Sequence, residues 1–355
     1  MIKRGIYRQV GEGAMVAQID KSMIRMRPAK ALMRLVAWSL LEGRPLTTKG
    51  RWINPLVFFL YRSTQYFPLH AGSRKPIFIL GTGRSGTTIL GKLFAMHKDA
   101  VFLNEPKAAW HFVHGEEDIA GSYSMSPARV RINADEFSEH ASRRLQHIYS
   151  FAIRLGMSKR VVDKYPELIY RLPYVTSLFP EGKSVAILRD GVDTCASIAA
   201  WSQREGNADA GHTHDWWGRD NRKWKLLVEQ LVPENSDLAR FSDRLANNSN
   251  HVDRAAVEWI LATREVKRAQ ARYPERLLSI AYEDLCADPE KVLKLILSYC
   301  DLSPDDGLYE YAKGVMSPSR QDLQLALDPD LLPIFRQTLA SAGYGDSISR
   351  TSARV

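Results

Sequence analysis

From position 75 onward, short apolar runs rich in β-branched residues alternate with longer stretches in which apolar residues return every three or four positions. That alternation is the pattern of βαβ units around a buried, mainly parallel sheet. The predicted strands are 77–80, 101–103, 161–163, 185–188 and 277–280. Helical periodicity is clearest after the first of them, where Ile89, Leu90, Leu93, Phe94 and His97 share one face, and again over 253–273. Asp288 followed by Pro289 predicts a further helix start, with an N-cap and then proline at the first helical position. Gly, Asn and His crowd 204–221, so that segment reads as a long loop of the kind that serves binding.

Upstream, apolar clusters at 32–41 and 53–61 are interrupted by arginine, glutamate and glycine. They fall well short of the ~18 residues a membrane span needs. Helices docked on the main domain are the ordinary explanation, and peripheral contact with a membrane surface stays open. The expected organisation is a helical N-terminal extension at 1–70, an α/β domain at 71–345 and a flexible tail at 346–355.

Composition narrows the function classes. A chain of 355 residues that is 45% hydrophobic buries a large core, and a net charge of +9 favours anionic partners. The basic residues are scattered rather than gathered in runs, so no nucleic-acid arm is visible and nucleic acid is not an expected partner. Three cysteines, Cys195, Cys286 and Cys300, show no Cys-x-x-Cys spacing, which points to reduced thiols in a cytoplasmic chain. Residues 1–10 lack the apolar run of a signal peptide.

The most informative stretch is 77–88, Ile-Phe-Ile-Leu-Gly-Thr-Gly-Arg-Ser-Gly-Thr-Thr, a buried strand entering a glycine-rich turn that opens an amphipathic helix. Glycines let backbone NH groups converge on anionic oxygens, and the helix N-terminus adds about half a positive charge at the same point. Gly83, Arg84, Ser85, Gly86, Thr87 and Thr88 are therefore candidate phosphate contacts. Gly81 and Gly86 have Walker A spacing, but Thr87 stands where nucleotide-hydrolysing enzymes need lysine. The strand at 185–188 is followed by Arg189 rather than by a magnesium-binding aspartate, which disfavours metal-dependent phosphoryl transfer.

Together these residues resemble the superfamily of sulfotransferases that use 3′-phosphoadenosine 5′-phosphosulfate (PAPS), in its bacterial and tyrosylprotein-type branch. In that family the 5′-phosphosulfate loop reads close to Arg-Ser-Gly-Thr-Thr, as at 84–88, and the 3′-phosphate motif is a strand, an arginine and a serine eight residues on, as in Arg189 and Ser197. Arg189 alone also fits a surface arginine paired with Asp190 or Asp193. Tyr282, in Tyr-Glu-Asp-Leu at 282–285, matches the family's adenine-contacting tyrosine, although a tyrosine capping the sheet would look the same. The resemblance spans roughly 75–300 and implies a P-loop-type α/β fold, PAPS as donor, PAP as product and no metal.

It also implies a catalytic set. Glu105 ends a predicted strand, and its position relative to Arg84 resembles that of the catalytic glutamate of tyrosylprotein sulfotransferases; a carboxylate merely paired with a cation is the plain alternative. Lys164 resembles the family's Lys-x-Pro lysine, which with Arg84 would stabilise the transferring group and the leaving phosphate. His97, His111 and His114 are rival bases without the motif that surrounds the family's catalytic histidine. Two family features are missing: Ile89 stands where cytosolic members carry an adenine-stacking tryptophan, and no Arg-Lys-Gly segment follows, leaving Lys313, Ser317 and Arg320 as substitutes.

The acceptor, whether small molecule, lipid or carbohydrate, and any homo-oligomer are not encoded in these motifs. Loops at 107–135 and 203–222 would shape the acceptor site, where Trp110, Trp201, Trp216 and Trp217 either line it or pack in the core. The competing readings are a magnesium-dependent P-loop kinase and a basic, membrane-associated protein without catalysis.

Overall fold

The computed structural model describes residues 16–209, 211–317 and 323–354, so the 1–10 segment and Arg320 lie outside the described residues. All five predicted strands form, each extended by one or two residues: β1 Ile77–Gly81, β2 Ala100–Asn104, β3 Arg160–Lys164, β4 Lys183–Leu188 and β5 Leu277–Ala281. They make one parallel sheet in the order β2-β3-β1-β4-β5. Successive side chains of a strand point to opposite faces, and the core divides accordingly. Phe78, Leu80, Val101, Leu103 and Val161 pack on one side; Ile77, Ile79, Phe102, Val162, Val185 and Ile187 pack on the other. With both faces covered, the strands read as continuous apolar runs rather than alternating ones.

The N-terminal segment is helical and belongs to this core. Helices α1 (Lys21–Met26), α2 (Pro28–Leu41) and α3 (Asn54–Thr64) bury Met23 and Ala31 on one side of the sheet, and Ala37, Leu41, Val57 and Tyr61 on the other. Helix α2 runs along the edge strand β2. Lys30 Nζ donates to the Ala100 carbonyl at 2.9 Å, and Arg34 donates to the Phe102 carbonyl at 3.3 Å. An uncovered edge invites pairing with other chains, and here α2 covers it.

Two expectations need correction. The segment 204–221 is not an open loop but a small antiparallel ribbon of Asn207–Asp209, His212–Asp215 and Gly218–Arg219. Its strands are too short for a period of two to show in the sequence, and its turns use Gly211 and Gly218 at φ of 82° and 81°. The tail expected to be flexible at 346–355 is ordered through 354. Thr351–Ala353 pairs in parallel with Leu325–Leu327, and the buried Arg350 binds Asp190 at 2.6 Å and Asp193 at 2.9 Å. Those ion pairs tie the tail to the N-terminus of the helix that follows Arg189.

Asp288 caps its helix as expected, accepting from the Lys291 amide at 3.0 Å. The three cysteines are buried free thiols.

Candidate active site

Three strand ends meet at one cleft. Strand β1 runs into the glycine-rich turn and then helix α4 (Thr87–Met96), which turns Leu90, Leu93 and Phe94 into the core. Gly81, at φ 128°, lies against β4: a Cβ there would come within 2.6 Å of the Ile187 carbonyl. Gly86, at φ 100°, meets the Tyr282 ring, which a Cβ would approach to 2.3 Å. Both positions thus require glycine for conformation and for space.

The turn uses its side chains unequally. Ser85 is fully buried, and its hydroxyl points to the Thr82 and Ile187 carbonyls at 2.6 and 2.9 Å. It braces the turn, and only its backbone is placed to act as the phosphate contact expected of it. Gly83, Arg84, Thr87 and Thr88 line a cleft of about 420 Å³. Arg84 sits at φ 67° with its Nε 3.1 Å from Ser197 Oγ, and its carbonyl accepts from Arg189 at 3.4 Å. The Arg189 guanidinium stacks over the Tyr282 ring at 4.9 Å and lies 3.5 Å from Asp193. Its Nε is buried without a hydrogen-bond partner among the described residues. Arg84, Arg189, Ser197, Gly86 and Tyr282 therefore form one continuous patch, although Arg189, Ser197 and Tyr282 stand beside the cleft rather than in its wall. The Asp193 pairing that a lone surface arginine would make is present as well.

Glu105 and Lys164 line the same cleft as the turn. Parallel register sets Asn104 opposite Lys164, so both residues leave adjacent strands at one level. Glu105 takes φ 51°, a left-handed conformation that costs roughly 1–3 kcal/mol in a non-glycine residue. Its amide donates to the Lys164 carbonyl at 2.7 Å. Its carboxylate accepts from the buried Lys164 ammonium on one oxygen and lies 3.2 Å from Lys107 Nζ on the other. Burial raises the Glu105 pKa, but the two lysines more than offset this and hold it well below the usual carboxylate range.

Lys107 opens a ladder of alternating charge that the sequence did not disclose. It lies 3.3 Å from Glu167; Lys223 lies 3.3 Å from Glu167 and 2.7 Å from Glu258; Glu258 accepts from Trp216 Nε1 at 2.6 Å. The Trp216 indole ends over Gly83, where an added Cβ would meet it at 2.3 Å, and packs edge-on against Trp201 at 5.4 Å. Behind Glu105, the buried Arg34–Glu42 pair fixes the end of β2, with Glu42 accepting from the Asn104 amide at 2.6 Å. Residues Glu42, Gly43, Arg44 and Pro45 wall the far side of the cleft with Tyr123 and Arg219.

The rival bases are elsewhere. His97 is fully buried against the Ser303 carbonyl, and neither His111 nor His114 lines the cleft, whereas His214 of the ribbon does. Trp110 and Trp217 are fully buried in the core, while Trp201 and Trp216 line the cleft. Lys313 pairs with Glu290 on the surface, away from the cleft.

Residues 76–235, which carry the turn, Glu105, Lys164 and the Arg189 strand, match the model of the sulfotransferase family. Over this segment, somewhat under half of its length, the chain is similar to the sulfotransferase family. Among curated relatives, mouse carbohydrate sulfotransferase 5 is 39% identical over 56 residues, covering 16% of this chain and 14% of that protein. An uncharacterised protein of Aquifex aeolicus is 20% identical over 245 residues, covering 68% of this chain and 27% of that protein. The chain thus spans only a small part of these relatives' own lengths. The solved structure of sulfotransferase STF9 from Mycobacterium avium aligns with a TM-score of 0.46 at 12% identity, covering 89% of this chain and 86% of that one.

Proposed function

We propose that the chain transfers a sulfuryl group from PAPS to an acceptor hydroxyl or amine, with Glu105 as general base. The observation that carries this reading is the Glu105–Lys164 pair lining one cleft with Arg84, Thr87 and Thr88. The donor-side residues fit a bisphosphate: a glycine turn at a helix N-terminus for one phosphate, and Arg189 with Ser197 for the other, joined through Arg84. Tyr282 would stand at the adenine.

Bound PAPS supplies the activated sulfur. Glu105 takes the acceptor's proton as the new bond to sulfur forms. Lys164 and Arg84 hold the charge that appears on the 5′-phosphate as the old sulfur–oxygen bond breaks. A carboxylate paired with two ammonium groups is a weak base. Lys164 turning from Glu105 toward the donor raises the basicity of Glu105, so base strength rises when the donor is in place. The cleft wall at 42–45 with Tyr123 and Arg219 suits a polar acceptor, a small molecule or the polar part of a lipid or carbohydrate.

Thermal melting with PAP, or with ATP and magnesium, tests the donor. Saturation at about 100 times Kd adds about 2.7 kcal/mol, so PAP should raise the melting temperature. Stabilisation by ATP with magnesium instead would favour the kinase reading, and a response to neither would leave a protein without this chemistry. Labelled PAPS with phenol, sugar, lipid and peptide acceptors then identifies the product; turnover should persist in EDTA.

A further inference from the structure

Helix α3 and the turn before it carry an apolar face turned outward. Trp52, Leu56, Phe59 and Tyr66 recur at helical spacing and are 83%, 47%, 61% and 82% exposed. The opposite side of the helix, Val57, Tyr61 and Thr64, is buried. Phe67 extends the face, and Leu32 and Leu35 are exposed on the neighbouring α2. Of the twelve exposed large apolar side chains among the described residues, eight lie between positions 24 and 67, which makes this a concentration rather than ordinary scatter. No described residue covers it.

Charge selects the occupant. From 43 to 98 the chain contains no Asp or Glu, and Lys49, Arg51 and Arg62 are exposed beside the aromatic residues. A second copy packed face to face would bring these cations together with no carboxylate from 43–98 to offset them. An anionic lipid surface meets both features: cations at the headgroups, Trp and Tyr at the interface, Leu and Phe toward the acyl chains. No described helix is long and apolar enough to cross a membrane, so the contact would be shallow. We propose that the outer face of α3 docks the protein on an anionic bilayer.

Flotation of the full chain tests this, using vesicles of phosphatidylcholine alone and vesicles with phosphatidylglycerol as about a third of the lipid. Binding should require phosphatidylglycerol and weaken at least about tenfold in high salt. The double variants Trp52→Ser with Phe59→Ser, and Arg51→Gln with Arg62→Gln, should each lose about tenfold or more in binding while melting and PAP affinity stay unchanged. Failure of the parent chain to float with anionic vesicles overturns the proposal, as does flotation of both variants at the parent's level. So does a dimer in sedimentation velocity that Trp52→Ser with Phe59→Ser dissolves, which would assign the face to a second copy.

Discussion

At the turn end of the cleft the chain offers backbone: eight consecutive residues, two glycines at positive φ and a serine turned inward to brace them. At the Glu105 end it offers side chains drawn from five segments, in which Arg34, Glu42, Glu105, Lys107, Lys164, Glu167, Lys223 and Glu258 hold one another. The first end is one continuous stretch of chain, so it is readable as a motif. The second exists only after the sheet has brought β2 and β3 into register and the helices have closed over them. Donor recognition should therefore tolerate changes in the charge ladder, and turnover should not.

Glu105→Gln gives the largest separation. Turnover should fall about 100-fold or more with PAP affinity nearly unchanged, because a proton acceptor is lost and the donor crevice is not. Near-normal turnover would move the base role to His214, the histidine that lines the cleft. Arg189→Ala should do the reverse at the other end, weakening PAP by ~1.5 to 3 kcal/mol in calorimetry, the scale of a lost charge-assisted hydrogen bond. Unchanged affinity would leave Arg189 as a partner of Asp193 and Tyr282 alone.

The smallest effect belongs to the ladder itself. Burial raises the Glu167 pKa, but Lys107 and Lys223 more than offset this and bring it down to about 2 from 4.5. The folded value lies below the unfolded one, so this stabilisation is present above pH about 4.5 and is lost as pH falls through about 2. Melting temperature against pH should fall less steeply across that window in Glu167→Gln than in the parent. Parallel curves would show that the ladder adds no acid-sensitive stability.

What was legible follows the same division. Five strands, the turn and the Asp288 cap could be read because each depends on neighbours in sequence: β-branched runs, glycine at forced φ, an acceptor side chain over free amides. The ribbon at 207–219 was hidden because two to four residues cannot display a period, and the tail because Arg350 finds Asp190 and Asp193 in a distant part of the chain. Nothing in the sequence sets Lys107, Glu167, Lys223 and Glu258 apart from ordinary surface charges, and only topology makes them a ladder. The inward turn of Ser85 could not be read from its motif either, since its partner Ile187 belongs to another strand.

The proposed function requires two joined crevices, at Arg84 and at Arg189, to hold the two phosphates of one nucleotide. Calorimetric titration of the chain with PAP, and in parallel with adenosine 5′-monophosphate, tests this directly. PAP should bind at least about tenfold more tightly, because adenosine 5′-monophosphate leaves Arg189 and Ser197 without their phosphate. Equal affinity for the two, or no measurable binding of PAP, would contradict it.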